Sequence, residues 1–320
     1  MHIDMPIHEL EKYMGKNPKP ADHEHYWERG LSELDELSLQ YELVPADFQS
    51  NIADCYHLYF TGLGGARVHC KYVKPKNAQP NGPGLVIFHG YSGSSGEWTD
   101  KISFAAEGIT VLVMDCRGQG GLSEDNLQVQ GPTIRGHIIR GLEDANPDHL
   151  YYRNVFLDTV QTARILMSMD HVDCNRVGSY GYSQGGALAT VCAALEPRIK
   201  ELVAVYPFLS DYKRVWENMD ISNSAYEEIS YFFRVCDPNH LREEEIFEKL
   251  GYIDIQHLAD RIKANTLWVT GLKDNVCPPS TQYAAYNKIK AKKEILLFHE
   301  FGHEHLYGLA DKAFQMFRSL

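Results

Sequence analysis

From Leu85 onward, short apolar runs alternate with longer stretches in which apolar residues recur every three or four positions. Leu85 to Phe88, Ile109 to Met114, Val177 to Tyr180, Leu202 to Tyr206, Thr266 to Thr270 and Ile295 to Phe298 are short runs without polar alternation. Runs of that kind suit parallel strands covered on both faces. Between them, Phe156, Val160, Ala163 and Met167 share one helical face, as do Ala310, Ala313, Phe314 and Phe317. Strands alternating with helices predict an α/β fold with a doubly wound, mostly parallel sheet.

Two segments stand outside this alternation. Residues 22–37 read as an amphipathic helix, and Tyr56 to Tyr72 as two strands joined by the turn Gly62-Leu63-Gly64-Gly65, so residues 1–80 form an N-terminal extension of helix and hairpin. Residues 211–252 are rich in charged and aromatic side chains and show no strand pattern, which predicts a helical insertion. Its place between the runs at Leu202 and Thr266 sets it over the C-terminal edge of the sheet, where ligands bind in open α/β folds. A lid, a specificity wall and a subunit contact are all compatible with that position. With no repeat, low-complexity block or long linker, residues 1–320 read as one domain carrying insertions.

Composition narrows the function classes. A 320-residue chain with 44% hydrophobic and 23% charged residues has a globular profile. Its net charge of −12 argues against neutralising the phosphates of a nucleic acid or coating an anionic membrane. Small, neutral substrates fit better. Met1 to Glu9 carry early acidic charge and no apolar run, so neither a secretory signal nor a membrane span is expected and the cytoplasm is the predicted location. Seven cysteines, none in C-x-x-C spacing, with Cys116, Cys174 and Cys192 in or beside core elements, read as reduced core thiols.

The candidate chemistry centres on Gly181-Tyr182-Ser183-Gln184-Gly185. This G-x-S-x-G pattern follows one apolar run and precedes the helical stretch containing Ala187, Val191 and Ala194. In that context the serine sits on a strained strand-to-helix turn, and the glycines remove side chains that would collide there. A serine hydroxyl needs a histidine to take its proton and a carboxylate to hold that histidine, in the chain order Ser, acid, His. Asp274, in the loop after the run ending at Thr270, suits the acid, while Asp254 and Asp260 lie ahead of that strand and suit it less. His303, past the last run and before the final helix, suits the base, with His299 and His305 as competitors.

Two backbone N–H groups should hold an oxyanion, one from Gln184 and one from His89-Gly90-Tyr91-Ser92-Gly93, where Tyr91 is the expected donor. Arg117-Gly118-Gln119-Gly120-Gly121 lacks dinucleotide-loop spacing and reads as a structural loop braced by Arg117. The pairs His303/His305 and His23/His25 lack further ligands at metal-site spacing, so no metal is expected.

Three motifs, R-G-Q-G at Arg117 to Gly120, G-x-S-Q-G-G at Gly181 to Gly186 and H-E at His303-Glu304, together resemble the acetyl xylan esterase and cephalosporin C deacetylase family, carbohydrate esterase family seven. Tyr151-Tyr152-Arg153, Tyr206 to Ser210 and Pro278-Pro279-Ser280 extend the resemblance over nearly the whole chain. It implies an α/β-hydrolase that deacetylates small acetylated xylo-oligosaccharides and cephalosporin C inside the cell, commonly as a homohexamer with sites facing an inner cavity. Carried over by position, the nucleophile falls on Ser183, the acid on Asp274, the base on His303 and the oxyanion donors on Tyr91 and Gln184. Tyr182 stands where glycine is common in the family and is expected to narrow the space beside the nucleophile. No cofactor is required by such a reaction. The competing readings are a serine peptidase of the prolyl-oligopeptidase type, for whose large propeller this chain has no room, and a binding protein on a hydrolase fold.

Overall fold

The computed structural model describes residues 3–222 and 224–320. Among the described residues nine strands form one sheet in the order β1 (Tyr41–Pro45), β2 (Ala53–Thr61), β3 (Arg67–Pro75), β5 (Thr110–Met114), β4 (Gly82–Phe88), β6 (Val172–Tyr182), β7 (Ile199–Val205), β8 (Asn265–Gly271) and β9 (Lys293–Phe298). From β5 to β9 every neighbour is parallel, and β1 to β3 extend the sheet antiparallel from β5. This is the doubly wound, mostly parallel sheet of an α/β-hydrolase, with the hairpin β2–β3 where the glycine-rich turn predicted it.

The α-helices of the described residues are α1 (Ile7–Leu10), α2 (His23–Asp35), α3 (Thr99–Ala106), α4 (Tyr151–Met167), α5 (Gln184–Leu195), α6 (Tyr212–Asn218), α7 (Glu227–Cys236), α8 (Glu243–Leu250), α9 (Pro279–Tyr286) and α10 (Leu309–Phe317), and short 3-10 turns join some of the elements. Strand alternation divides the core between the two faces of the sheet. Val86, Leu112 and Leu202 point towards α4 and α5, while Leu85, Val111 and Val203 point towards α3 and α10. Every residue of α5 is buried, as its lack of a polar face requires, whereas α10 buries only Leu309, Ala313 and Phe317, spaced to share one face.

Two expectations need correction. Ile295 to Phe298 is an edge strand paired only with β8, so its side chains are half-buried rather than covered on both faces. Tyr41–Pro45 is an additional strand, exposed along its length, which no apolar pattern announces.

Parallel strands end at the same edge of the sheet. The loops after β4, β5, β6, β7, β8 and β9 therefore converge, and they bring Tyr91, Gln119, Ser183, Phe208, Asp274 and His303 to one edge. Helices α6, α7 and α8 lie in the chain between β7 and β8.

Candidate active site

Ser183 stands between β6 and α5 at φ 56°, ψ −121°, a conformation L-residues rarely adopt. The strain is held by close backbone approach. A Cβ on Gly185 would lie 2.0 Å from the Phe88 carbonyl oxygen, and one on Gly181 would lie 2.2 Å from that of Gly185. The Ser183 N–H donates to Val205 (2.9 Å) and its carbonyl accepts from Phe208 N–H (3.1 Å), which stitches the turn to the start of the β7 loop. At the N-terminus of α5 the first N–H groups have no intrahelical acceptor, and Gln184 provides one of them beside the serine.

The loops after β8 and β9 are interlocked. Lys273 N–H donates to the Phe301 carbonyl (2.9 Å), and Gly271 has no room for a side chain because a Cβ would meet the same oxygen at 2.6 Å. That contact places His303 Nδ1 2.8 Å from Asp274 Oδ2. Asp274 is fully buried, and its Oδ1 accepts from the N–H groups of Val276 (2.9 Å) and Cys277 (2.8 Å). A carboxylate held in this way fixes the imidazole and leaves Nε2 for proton transfer.

The competitors lie elsewhere. His299 and His305 face solvent, Asp260 pairs loosely with Lys290, and buried Asp254 accepts from the Asp211 and Gln256 backbone N–H groups. His23 is buried while its neighbour His25 is exposed, so those two do not converge on one point.

Ser183, His303 and Tyr91 line one cavity of about 300 Å³ together with Gly90, Phe208, Ala225 and Val276. Among the described residues the Tyr91 N–H has no hydrogen-bond acceptor. The loop that carries it is tied to the serine turn through Gln119, whose Oε1 accepts from Ser92 N–H (2.9 Å) and whose Nε2 donates to Gln184 Oε1 (2.9 Å). Tyr152 donates to the same Gln184 oxygen at 2.8 Å. Arg117 braces this loop as expected: its guanidinium grips Asp158 of α4 at 2.6 and 2.8 Å, with both side chains buried.

Three contributors carried no sequence signal. Ala225, just before α7, walls the cavity, so the 211–252 segment borders the site. Glu228 of α7 accepts the Tyr91 hydroxyl at 2.7 Å, and burial pushes its carboxyl up to about 8. The buried Cys277 thiol lies against the Ser183 hydroxyl, and desolvation pushes it well above the usual thiol range. Only contacts between residues far apart in the chain reveal these roles.

The acetyl xylan esterase (AXE1) family profile matches residues 1–320. The chain belongs to the acetyl xylan esterase family. It is 52% identical to acetyl xylan esterase 1 from Thermoanaerobacterium sp. JW/SL YS485, whose crystal structure superposes with a TM-score of 0.96 over 99% of each chain. Acetyl xylan esterase from Paenibacillus sp. R4 is 36% identical, with a TM-score of 0.91 over 98% of this chain and 99% of that one. Acetyl esterase Axe7A of Xylanibacter ruminicola is 28% identical over 301 residues; that match covers 90% of this chain but 64% of the relative, so the chain spans less than two thirds of that protein's length.

Within this family scaffold, Tyr182 departs from its expected place. It does not line the Ser183 cavity. Strand alternation puts it on the same face as Tyr180, and both line a separate cavity of about 520 Å³ with Phe104 and Phe314. Its hydroxyl bonds to that of Tyr180, and its ring meets Tyr206, which in turn lies 4.4 Å from the His303 ring. Its bulk therefore reaches the site through the backing of His303 rather than through the space beside the serine.

Proposed function

We propose that this protein is a serine carboxylesterase that removes acetyl groups from small acetylated sugars, xylo-oligosaccharides among them, and from cephalosporin C. The observation that carries the reading is the hydrogen bond from Asp274 to His303, which lines the same cavity as Ser183. Ser183 Oγ attacks the acetyl carbonyl as its proton passes to His303 Nε2. The oxyanion is held by the N–H groups of Tyr91 and Gln184, and the sugar alcohol leaves with the proton from His303. Water, deprotonated by His303, then attacks the acetyl-enzyme, and acetate departs as Ser183 recovers its proton.

Phe208, Ala225 and Val276 give the cavity an apolar wall, and its volume of about 300 Å³ suits a short acyl group. A homohexamer with inward-facing sites would restrict substrates to oligosaccharides, and sedimentation velocity tests that assembly. Seven free thiols, most of them buried, favour the reducing cytoplasm. No described helix is long and apolar enough to cross a membrane.

Ser183→Ala should keep the fold and lose about four or more orders of magnitude in p-nitrophenyl acetate turnover. Near-normal hydrolysis by that variant would overturn the proposal. A panel of acetylated xylo-oligosaccharides, cephalosporin C and longer acyl esters defines the substrate class.

A further inference from the structure

We propose that Glu228 is a positioning residue for the oxyanion site: it reaches from α7 to anchor the Tyr91 phenol, and so fixes where the Tyr91 N–H points. The inference rests on the esterase reading above, in which that N–H binds the oxyanion.

The anchoring is specific. Glu228 Oε1 accepts from the Tyr91 hydroxyl at 2.7 Å, while Oε2 accepts from the Ile139 N–H at 3.1 Å. The phenol oxygen also accepts from the His137 N–H at 3.0 Å, so one carboxyl and one phenol bridge α7, the loop after β4 and the 136–139 segment. The 136–139 backbone closes directly over the carboxyl, since a Cβ on Gly136 would lie 2.3 Å from Glu228 Oε2. The Tyr91 ring is gripped edge-on between Phe208 (5.7 Å between centroids) and His137 (5.3 Å).

The Tyr91 peptide needs such a hold. It is flanked by Gly90, which is conformationally free, and by Ser92 at φ 58°. On the far side, Ser92 is held by Gln119. On the near side, the phenol anchor at Glu228 is what restrains rotation of the peptide whose N–H must face the serine. A buried carboxyl whose hydrogen-bond partners are a phenol and backbone N–H groups is costly for stability alone. Its placement is explained by what it orients.

The test is a double-mutant cycle on the full-length enzyme, read as kcat and KM for p-nitrophenyl acetate together with fluorophosphonate labelling of Ser183. Tyr91→Phe and Glu228→Ala should each lower kcat about tenfold or more while KM stays within about threefold, because a misplaced oxyanion donor acts on the transition state. Combined, they should lose little beyond the worse single variant, because both break one link. Glu228→Gln should stay within about threefold of wild type, its carbonyl taking the Ile139 N–H and its amide donating to the phenol.

Should Glu228→Ala fail to fold, Tyr91→Phe alone still decides, since it removes only the hydroxyl. Full kcat in Tyr91→Phe with normal labelling of Ser183 overturns the inference and leaves the esterase reading intact, and so do multiplicative losses in the double variant. A wild-type enzyme that the probe does not label overturns the esterase reading, and this inference with it.

Discussion

Asp274→Asn isolates one step of the proposed chemistry at nearly constant shape. In the native site Oδ1 accepts two backbone N–H groups, from Val276 at 2.9 Å and Cys277 at 2.8 Å, while Oδ2 faces His303 Nδ1 at 2.8 Å. An asparagine can satisfy both backbone donors only with its carbonyl oxygen at the Oδ1 position. Turning the amide over would set an NH2 group against two buried N–H groups, at about 1–3 kcal/mol for each donor left unpaired. The amide NH2 must then stand where Oδ2 stood and donate to Nδ1. His303 is forced into the tautomer with hydrogen on Nε2, which cannot take the serine proton. The loss should be about four orders of magnitude in kcat, or roughly 5–6 kcal/mol of transition-state stabilisation. Both Oδ1 bonds survive, so the melting temperature should move by only a few degrees. Acetate release from p-nitrophenyl acetate, with a thermal melt on the same preparation, measures both quantities. A folded variant within tenfold of wild type would refute the argument and reduce the Asp274–His303 contact to a structural one.

Three further outcomes follow from the same geometry. Gly185→Ala should abolish soluble, native-like protein, because its Cβ would meet the Phe88 carbonyl oxygen at 2.0 Å; soluble yield and circular dichroism check it, and a folded active variant would refute the close approach. Asp158→Ala leaves the buried Arg117 unpaired and should cost about 3–5 kcal/mol, or a fall of roughly 5–7 °C in melting temperature for a chain of 320 residues. The paired replacement Arg117→Met/Asp158→Leu should recover much of that loss, and a melt within about 2 °C of wild type for the single variant would sink the bracing role. Glu228, raised by burial to about 8 from an ordinary value near 4.3, keeps its proton when folded while the unfolded chain releases it. Its contribution is therefore fully present below about pH 4.5 and is lost as pH rises through about 8, so Glu228→Gln should flatten the decline in melting temperature over that window, and parallel curves would refute it.

What could be read in advance follows from how each feature is encoded. The parallel strands were legible because both faces are covered, so their apolar runs need no partner to interpret them. Strand β9 shows the limit: its run resembles the others, yet whether a strand is central or at an edge depends on its neighbours. Strand β1 is held by its pairing with β2 and buries none of its side chains, so no pattern marks it. The positions of Ser183, Asp274 and His303 were legible because each follows a recognisable strand by a short loop. Glu228 was not, since its partner Tyr91 is 137 residues away. Tyr182 differs in kind. Its period-two relation to Tyr180 was already in the sequence and would have assigned it to the face opposite α5.

Sheet register also sets the two proposed oxyanion donors at matched positions beyond neighbouring strands. Strands β4 and β6 are parallel neighbours with Phe88 opposite Gly181, and Tyr91 and Gln184 each stand three residues beyond that pair. Adjacent strands lie about 4.8 Å apart, so two chains leaving in register start their turns at a spacing that an oxyanion can bridge with two hydrogen bonds of about 3 Å. Register alone would not keep them there, because one chain enters helix α5 while the other enters an open loop. The Gln119–Gln184 amide pair closes that gap, with Nε2 of each donating to Oε1 of the other at 2.9 and 3.0 Å while Gln119 also holds Ser92. The R-G-Q-G and G-x-S-Q-G-G motifs are thus two halves of one clamp, the arginine fixing the loop to α4 and the two glutamines fixing it to the serine turn. On this account Gln119→Ala should impair turnover more than substrate binding, although Gln119 does not line the cavity, because what it sets is the distance between two N–H groups.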